Sequence, residues 1–250
     1  MAEYASDIEK VLAINPHAID ARGNLKSLVE QYGEYSLAKE FDPKSTMEYT
    51  PFVLAMNCSV FGVPELAGKP LVLTNSSLKH VRVKHDAQIA VLNSLADEMR
   101  ENLLVYSDPE YKGNLVFVLA GLSENGNRII SIVRAEAHID GIAVSQVRSV
   151  HGKRELDEEI SRALDLSLDV YVNERTGDWL RNPRTLPDEA ELSSETRQRL
   201  LSIYFTRFPH ERPGSLKRVG DDPRSVAERA SRVAGSASGS AEATRQVPHR

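Results

Sequence analysis

Four apolar runs joined by short turns limit how this chain can fold. Leu103–Tyr106, Leu115–Leu119, Ile129–Val133 and Ile142–Val150 each have the length and composition of a strand. Asp108-Pro109 and Lys112-Gly113-Asn114 separate the first two, Glu124-Asn125-Gly126-Asn127 the second from the third, and Asp140-Gly141 the third from the fourth. Connections this short cannot carry a parallel crossover, so the runs are read as antiparallel neighbours in one sheet. Leu115–Ala120 has no polar face, which suits the sheet centre.

Flanking segments extend this frame. Leu71–Thr74 reads as a further short strand between Gly68-Lys69-Pro70 and Asn75-Ser76. Next, Leu78, Val81, His85, Ile89, Leu92, Ala96 and Met99 recur at spacings of three and four, which predicts one long helix. His85 takes a slot on its apolar stripe, with Lys84 at the edge. Residues 154–166 predict a helix whose early acids, Glu155, Asp157, Glu158 and Glu159, suit the positive end of the macrodipole. Leu166–Val172 alternates like a strand with one wet face, and residues 173–180 and 193–204 predict two more helices. Upstream, residues 6–14 and 18–32 predict helices, while residues 51–60 are apolar with neither period. The expected architecture is α+β: N-terminal helices packed on an antiparallel sheet of about four to five strands. It divides into a helical lead-in over residues 1–68, an α+β domain over 69–208 and a disordered basic Gly/Ser/Pro-rich tail over 209–250.

Charge restricts the partners. The chain carries a formal charge of -5, yet residues 209–250 hold eight Arg/Lys against five Asp/Glu. Contact with nucleic acid must therefore rest on a local basic patch. The single cysteine, Cys58, excludes a disulfide framework, suits the reducing cytosol and reads as buried filler between Met56 and Val60. No apolar run reaches the roughly 18–20 residues that span a bilayer, so no membrane role is expected. Met1–Asp7 lacks the basic start and apolar core of a signal peptide. The chain has no HExxH, paired CxxC, GxxxxGK[ST] or G-x-S-x-G, which argues against a zinc protease, a P-loop NTPase and a nucleophile-elbow hydrolase. No metal and no cofactor are expected.

Three groups of residues have the chemistry for a site: Lys84 with His85, then Gln146, Arg148, Ser149, His151 and Lys153, then Tyr171 with Ser167 and Asp169. Strict alternation puts Ser149 and His151 on the face of Ser145 and Val147, and Arg148 on the face of Gln146 and Val150. Each group also has a structural reading: a half-buried histidine satisfied by backbone, a polar edge strand, and a solvent-facing strand. Together they suit metal-independent phosphodiester cleavage. A histidine moves protons near neutral pH, Arg148, Lys84 or Lys153 balances the developing phosphorane charge, and a serine hydroxyl positions the phosphate.

The order of these motifs resembles a known family. Pro70–Thr74, Lys84-His85, Leu103–Ser107, Val147-Arg148-Ser149-Val150-His151-Gly152-Lys153, the acidic helix and Asp169–Asn173 resemble the C-terminal domain of phage MuF-type head-morphogenesis proteins and of polyvalent proteins of mobile elements, over roughly residues 69–180. Such domains look similar to the barnase–EndoU–colicin–RelE type of nucleases. The resemblance implies a metal-independent ribonuclease used as a toxin or effector. It would act on RNA such as tRNA in the cytoplasm of a bacterial host or in association with a virion. Its expected protein partner is an antitoxin, an immunity protein or a phage head protein. By motif position, Lys84, His85 and Ser149 are the expected catalytic residues, and Arg148, Lys153 and Tyr171 the expected substrate-binding ones; His151 stands where a tyrosine is common. The alternative is a non-catalytic phage structural or interaction module.

Overall fold

The computed structural model describes residues 2–38, 51–85, 89–182 and 192–212; side chains at 2–6, 34–38, 79, 82–85 and 89–90 lie outside the description. Met1–Tyr204 forms one compact unit, and Phe205–Arg250 a second. Within the second, residues 205–212 are described and include a 3-10 turn over Pro209–Glu211. The tail expected to be disordered from residue 209 thus begins with an ordered turn, and its residues 213–250 lie outside the description.

The first unit is built on a seven-stranded sheet, two strands larger than the upper expectation. Its strands are β1 (Pro51–Ala55), β2 (Leu71–Thr74), β3 (Leu104–Ser107), β4 (Asn114–Leu122), β5 (Arg128–Ile139), β6 (Ile142–Lys153) and β7 (Val170–Tyr171), in the spatial order β1-β2-β6-β5-β4-β3-β7. β3 to β6 form the expected antiparallel meander. β2 departs from it by pairing with β6 in parallel, Leu71 opposite Ser145 and Leu73 opposite Val147. β5 occupies the centre and β4 lies beside it, with both faces of Leu115–Leu119 buried.

Among the described residues there are eight α-helices: α1 (Ala2–Ile14), α2 (Leu28–Ala38), α3 (Asn75–His85), α4 (Ile89–Asn93), α5 (Leu95–Arg100), α6 (Leu156–Asp165), α7 (Glu174–Arg181) and α8 (Ser194–Arg207). The expected long helix is interrupted at Ser94, after which α5 starts anew; residues 86–88, between α3 and α4, lie outside the description. The expected strand over 166–172 keeps only Val170 and Tyr171. Its first residues instead close α6: Leu166, Ser167 and Leu168 donate backbone N–H groups to the carbonyls of Arg162, Leu164 and Ala163, with Ser167 at φ 54°. Unpaired carbonyls at a helix end favour such a turn over strand pairing.

Packing distinguishes two faces of the sheet. On the packed face, Leu71, Leu73, Val105, Leu115, Phe117, Leu119, Val133, Val147 and Val150 meet Leu78 and Val81 of α3, Leu92 of α4, Leu95 and Met99 of α5, and the segment from Cys58 to Leu66. Removing such side chains from water stabilises the unit by roughly 1.5–3 kcal/mol each. The opposite face is covered at its ends and is also buried at Val116, Val118 and Ile130, each at most 2% exposed. Val11 of α1 and Ala18 join Val53, Val72 and Val144 at one end. At the other, α6 presents Leu156, Ile160 and Ala163 on one buried stripe and its Glu159 reaches Tyr106. On this face Arg134 and Arg148 are exposed, and Asn114, Ile132, Gln146 and His151 are half-buried. Cys58 is buried on the packed side, and burial pushes its thiol up to about 12, which bears out its reading as filler.

A polar open face as the candidate functional site

The site depends on one irregularity in β6. Val147 pairs with Val133, but Ser149 pairs with Ile132, so β6 carries one residue more than β5 around Arg148. Such a bulge inverts the alternation beyond it. Val147 and Val150 both enter the packed core, whereas Ser149, His151 and Lys153 turn to the open face beside Gln146 and Arg148. This corrects the expectation that Ser149 and His151 share the face of Val147, and that Arg148 shares the face of Val150. Strict alternation would divide these polar side chains between core and solvent; the bulge puts them together.

Their contacts are specific. Ser149 Oγ and His151 Nδ1 are 3.0 Å apart, with Ser149 only 8% exposed. Arg148 is exposed, and its Nη1 donates to Gln146 Oε1 at 3.5 Å. Gln146 Nε2 in turn donates to Thr74 Oγ1 at 3.2 Å. Thr74 caps α3 by accepting the Ser77 backbone N–H at 3.2 Å, as a threonine does at a helix start. The end of β2, the first turn of α3 and the bulge are thus one hydrogen-bonded group.

Further along the face, Lys153 donates to Glu159 in an ion pair, and Tyr106 OH donates to the other Glu159 oxygen at 3.0 Å. The ammonium of Lys153 therefore already has a carboxylate partner. Burial and the nearby Glu159 carboxylate hold the Tyr106 phenol well above its ordinary pKa. Gly152 lets the β4–β5 turn approach: a Cβ there would stand 2.6 Å from Ser123 Oγ.

Tyr171 lies elsewhere. It pairs with Val105 and packs on the core of the opposite face, where its hydroxyl donates to Glu65. Burial and that carboxylate raise its pKa. The sheet separates it from Ser149. Lys84 and His85 end α3, and their side chains fall outside the described residues. His80, also on α3, is exposed.

Sequence reasoning missed Glu159, read only as a dipole partner, and Tyr106, read only as an apolar strand residue. It also stopped β5 at Val133. The alternation of exposed Arg134, Glu136 and His138 with buried Ala135 and Ala137 was the signal that the strand continues. Among the described residues no group of three His, Cys, Asp or Glu side chains is placed to hold a metal ion. No described helix is long and apolar enough to cross a membrane.

No curated protein and no solved structure matches the chain. The matched family is a phage one: residues 76–178, from the first turn of α3 into α7, match the model described as the Phage MuF-C-terminal domain, and this span is similar to that domain.

Proposed function

We propose that this phage-type domain is a metal-independent endoribonuclease that works on the open face of β6. The observation that carries the reading is the Ser149–His151 hydrogen bond beside the exposed guanidinium of Arg148. The 2′-hydroxyl of RNA attacks the adjacent phosphorus; the O2′–P bond forms, the P–O5′ bond breaks, and a 2′,3′-cyclic phosphate remains. One group takes the 2′ proton and another delivers a proton to the departing 5′ oxygen. A positioned side chain in either role contributes roughly 10²–10⁴-fold.

His151 fits one of these roles. Its Nδ1 is hydrogen-bonded to Ser149 Oγ, which orients the ring for proton transfer. Arg148 supplies charge to the phosphorane. The expected roles of Lys84 and His85 at the end of α3 complete the reaction as the second proton-transfer pair. In a host cell this activity is that of a toxin, with an immunity protein as its natural partner.

The test is cleavage of total RNA and tRNA in EDTA. Cyclic phosphate ends are expected, with no cutting of a 2′-deoxy strand of the same sequence. His85→Ala and His151→Ala should each lower the rate at least a hundredfold. An inactive wild-type protein that co-purifies with a phage head component would replace this reading with the non-catalytic interaction module.

A further inference from the structure

Next to the bulge the open face has a depression of about 320 Å³ lined by Glu110, Tyr111, Lys112, Asn114, Arg134 and Arg148. Register locates it. Asn114 pairs with Arg134 and Arg134 with Gln146, so the row runs across β4, β5 and β6 beside Ser149 and His151.

Its electrostatics differ from those of the chain as a whole. Among the described residues Lys112, Arg134 and Arg148 have no carboxylate partner. The carboxylate at the rim, Glu110, is engaged by Arg162 at 3.2 Å. In a chain of net charge -5, three cations without acidic partners around one hollow give it a local excess of positive charge.

An aromatic ring stands at the same hollow. Tyr111 is 64% exposed, above Val29, Val60 and Leu166. Its turn is ordered: Asp108 Oδ1 accepts the backbone N–H groups of Glu110 at 2.8 Å and Tyr111 at 3.1 Å, and Asp108 Oδ2 accepts from Asn114 Nδ2 at 3.4 Å. A fixed turn presenting a bare ring beside unneutralised guanidinium groups combines what single-stranded nucleic acid needs, a stacking surface and a phosphate clamp.

We propose that this depression is a subsite for a nucleotide of single-stranded RNA flanking the cleaved bond, with the base stacked on Tyr111 and its phosphates on Arg134, Arg148 and Lys112. The inference rests on the ribonuclease reading for the choice of RNA, and it excludes duplex, whose bases stay stacked on one another. The next row of the sheet on this face is Val116, Ile132 and Ser149.

The test is fluorescence anisotropy of the full chain with a 2′-O-methyl single strand, which cannot be cut. Tyr111→Ala should weaken binding about tenfold. Arg134→Gln should weaken it comparably and reduce the slope of log K against log salt by about 0.7, one phosphate contact. Arg22→Gln, an exposed cation elsewhere, should change nothing. Duplex RNA binding as tightly as the single strand, a labelled acidic peptide binding equally well, or wild-type affinity in both Tyr111→Ala and Arg134→Gln overturns the subsite. The two readings fail separately. Binding that depends on Tyr111 without cleavage of ordinary RNA keeps the subsite and rejects the ribonuclease, whereas unchanged KM in Tyr111→Ala rejects the subsite and keeps the ribonuclease.

Discussion

Val147 and Ser149, two residues apart on β6, lie on opposite faces of the sheet because the ladder gives β6 an extra residue at Arg148. Neighbouring substitutions should therefore behave differently. Val150 is fully buried, so Val150→Ala should cost about 2 kcal/mol of stability. Arg148→Ala, at an exposed position, should stay within about 0.5 kcal/mol. Urea unfolding measures both; equal costs would mean that the bulge does not set the faces.

Tyr171 should prove structural. Its hydroxyl is the partner of one Glu65 oxygen, and the other oxygen, Oε2, is buried with no hydrogen bond. Tyr171→Phe removes that partner and should lower stability by about 1–3 kcal/mol while leaving RNA affinity unchanged. Weakened RNA binding at full stability would return Tyr171 to the substrate site.

Alkaline stability should reveal the buried phenol of Tyr106. Its folded pKa is raised by burial and by Glu159, so the full contribution is present below the unfolded value of about 10. Above that pH the unfolded chain loses the proton first. Stability then falls by about 1.4 kcal/mol per pH unit for this group as the pH climbs toward the folded value. Denaturation midpoints measured from pH 8 to 11 should show the decline, and Tyr106→Phe should make it shallower by this group's share, with Tyr171 and Cys58, also raised, keeping the remainder.

Gly152 is required by contact and not by backbone angle. A Cβ there meets Ser123 Oγ at 2.6 Å and Ser123 Cβ at 2.8 Å. Gly152→Ala should cost about 1–3 kcal/mol, and Ser123→Gly in the same chain should recover part of it. No recovery in the double variant would place the strain elsewhere.

Much of the scaffold was legible in the sequence for identifiable reasons. Short Gly-, Asn- and Asp-containing turns announced the meander of β3 to β6, and an acidic start accompanied α6. The parallel pairing of β2 with β6 was not legible, since it joins segments some seventy residues apart with no local signal. β1 was missed because all five of its residues are buried, which removes the alternation that marks a half-exposed strand. Site composition was visible in Arg148, Ser149, His151 and Lys153. Its arrangement was not: one bulge residue inverts every side chain after it, and no residue type in Val147–Ser149 marks that shift. Glu159 was visible as an acid but not as the partner of Lys153 and Tyr106, because that meeting depends on where α6 crosses the sheet.

The central claim is that the side chains gathered by the bulge do chemistry on RNA. Its most direct measurement is the rate of cleavage of a fluorescent single-stranded RNA in EDTA by wild type, Ser149→Ala and His151→Ala, with folding of each checked by urea midpoint. The account predicts cleavage by wild type and losses of roughly 10²–10⁴ in His151→Ala, with a smaller loss in Ser149→Ala, at nearly unchanged stability. Equal rates in all three folded proteins would contradict it.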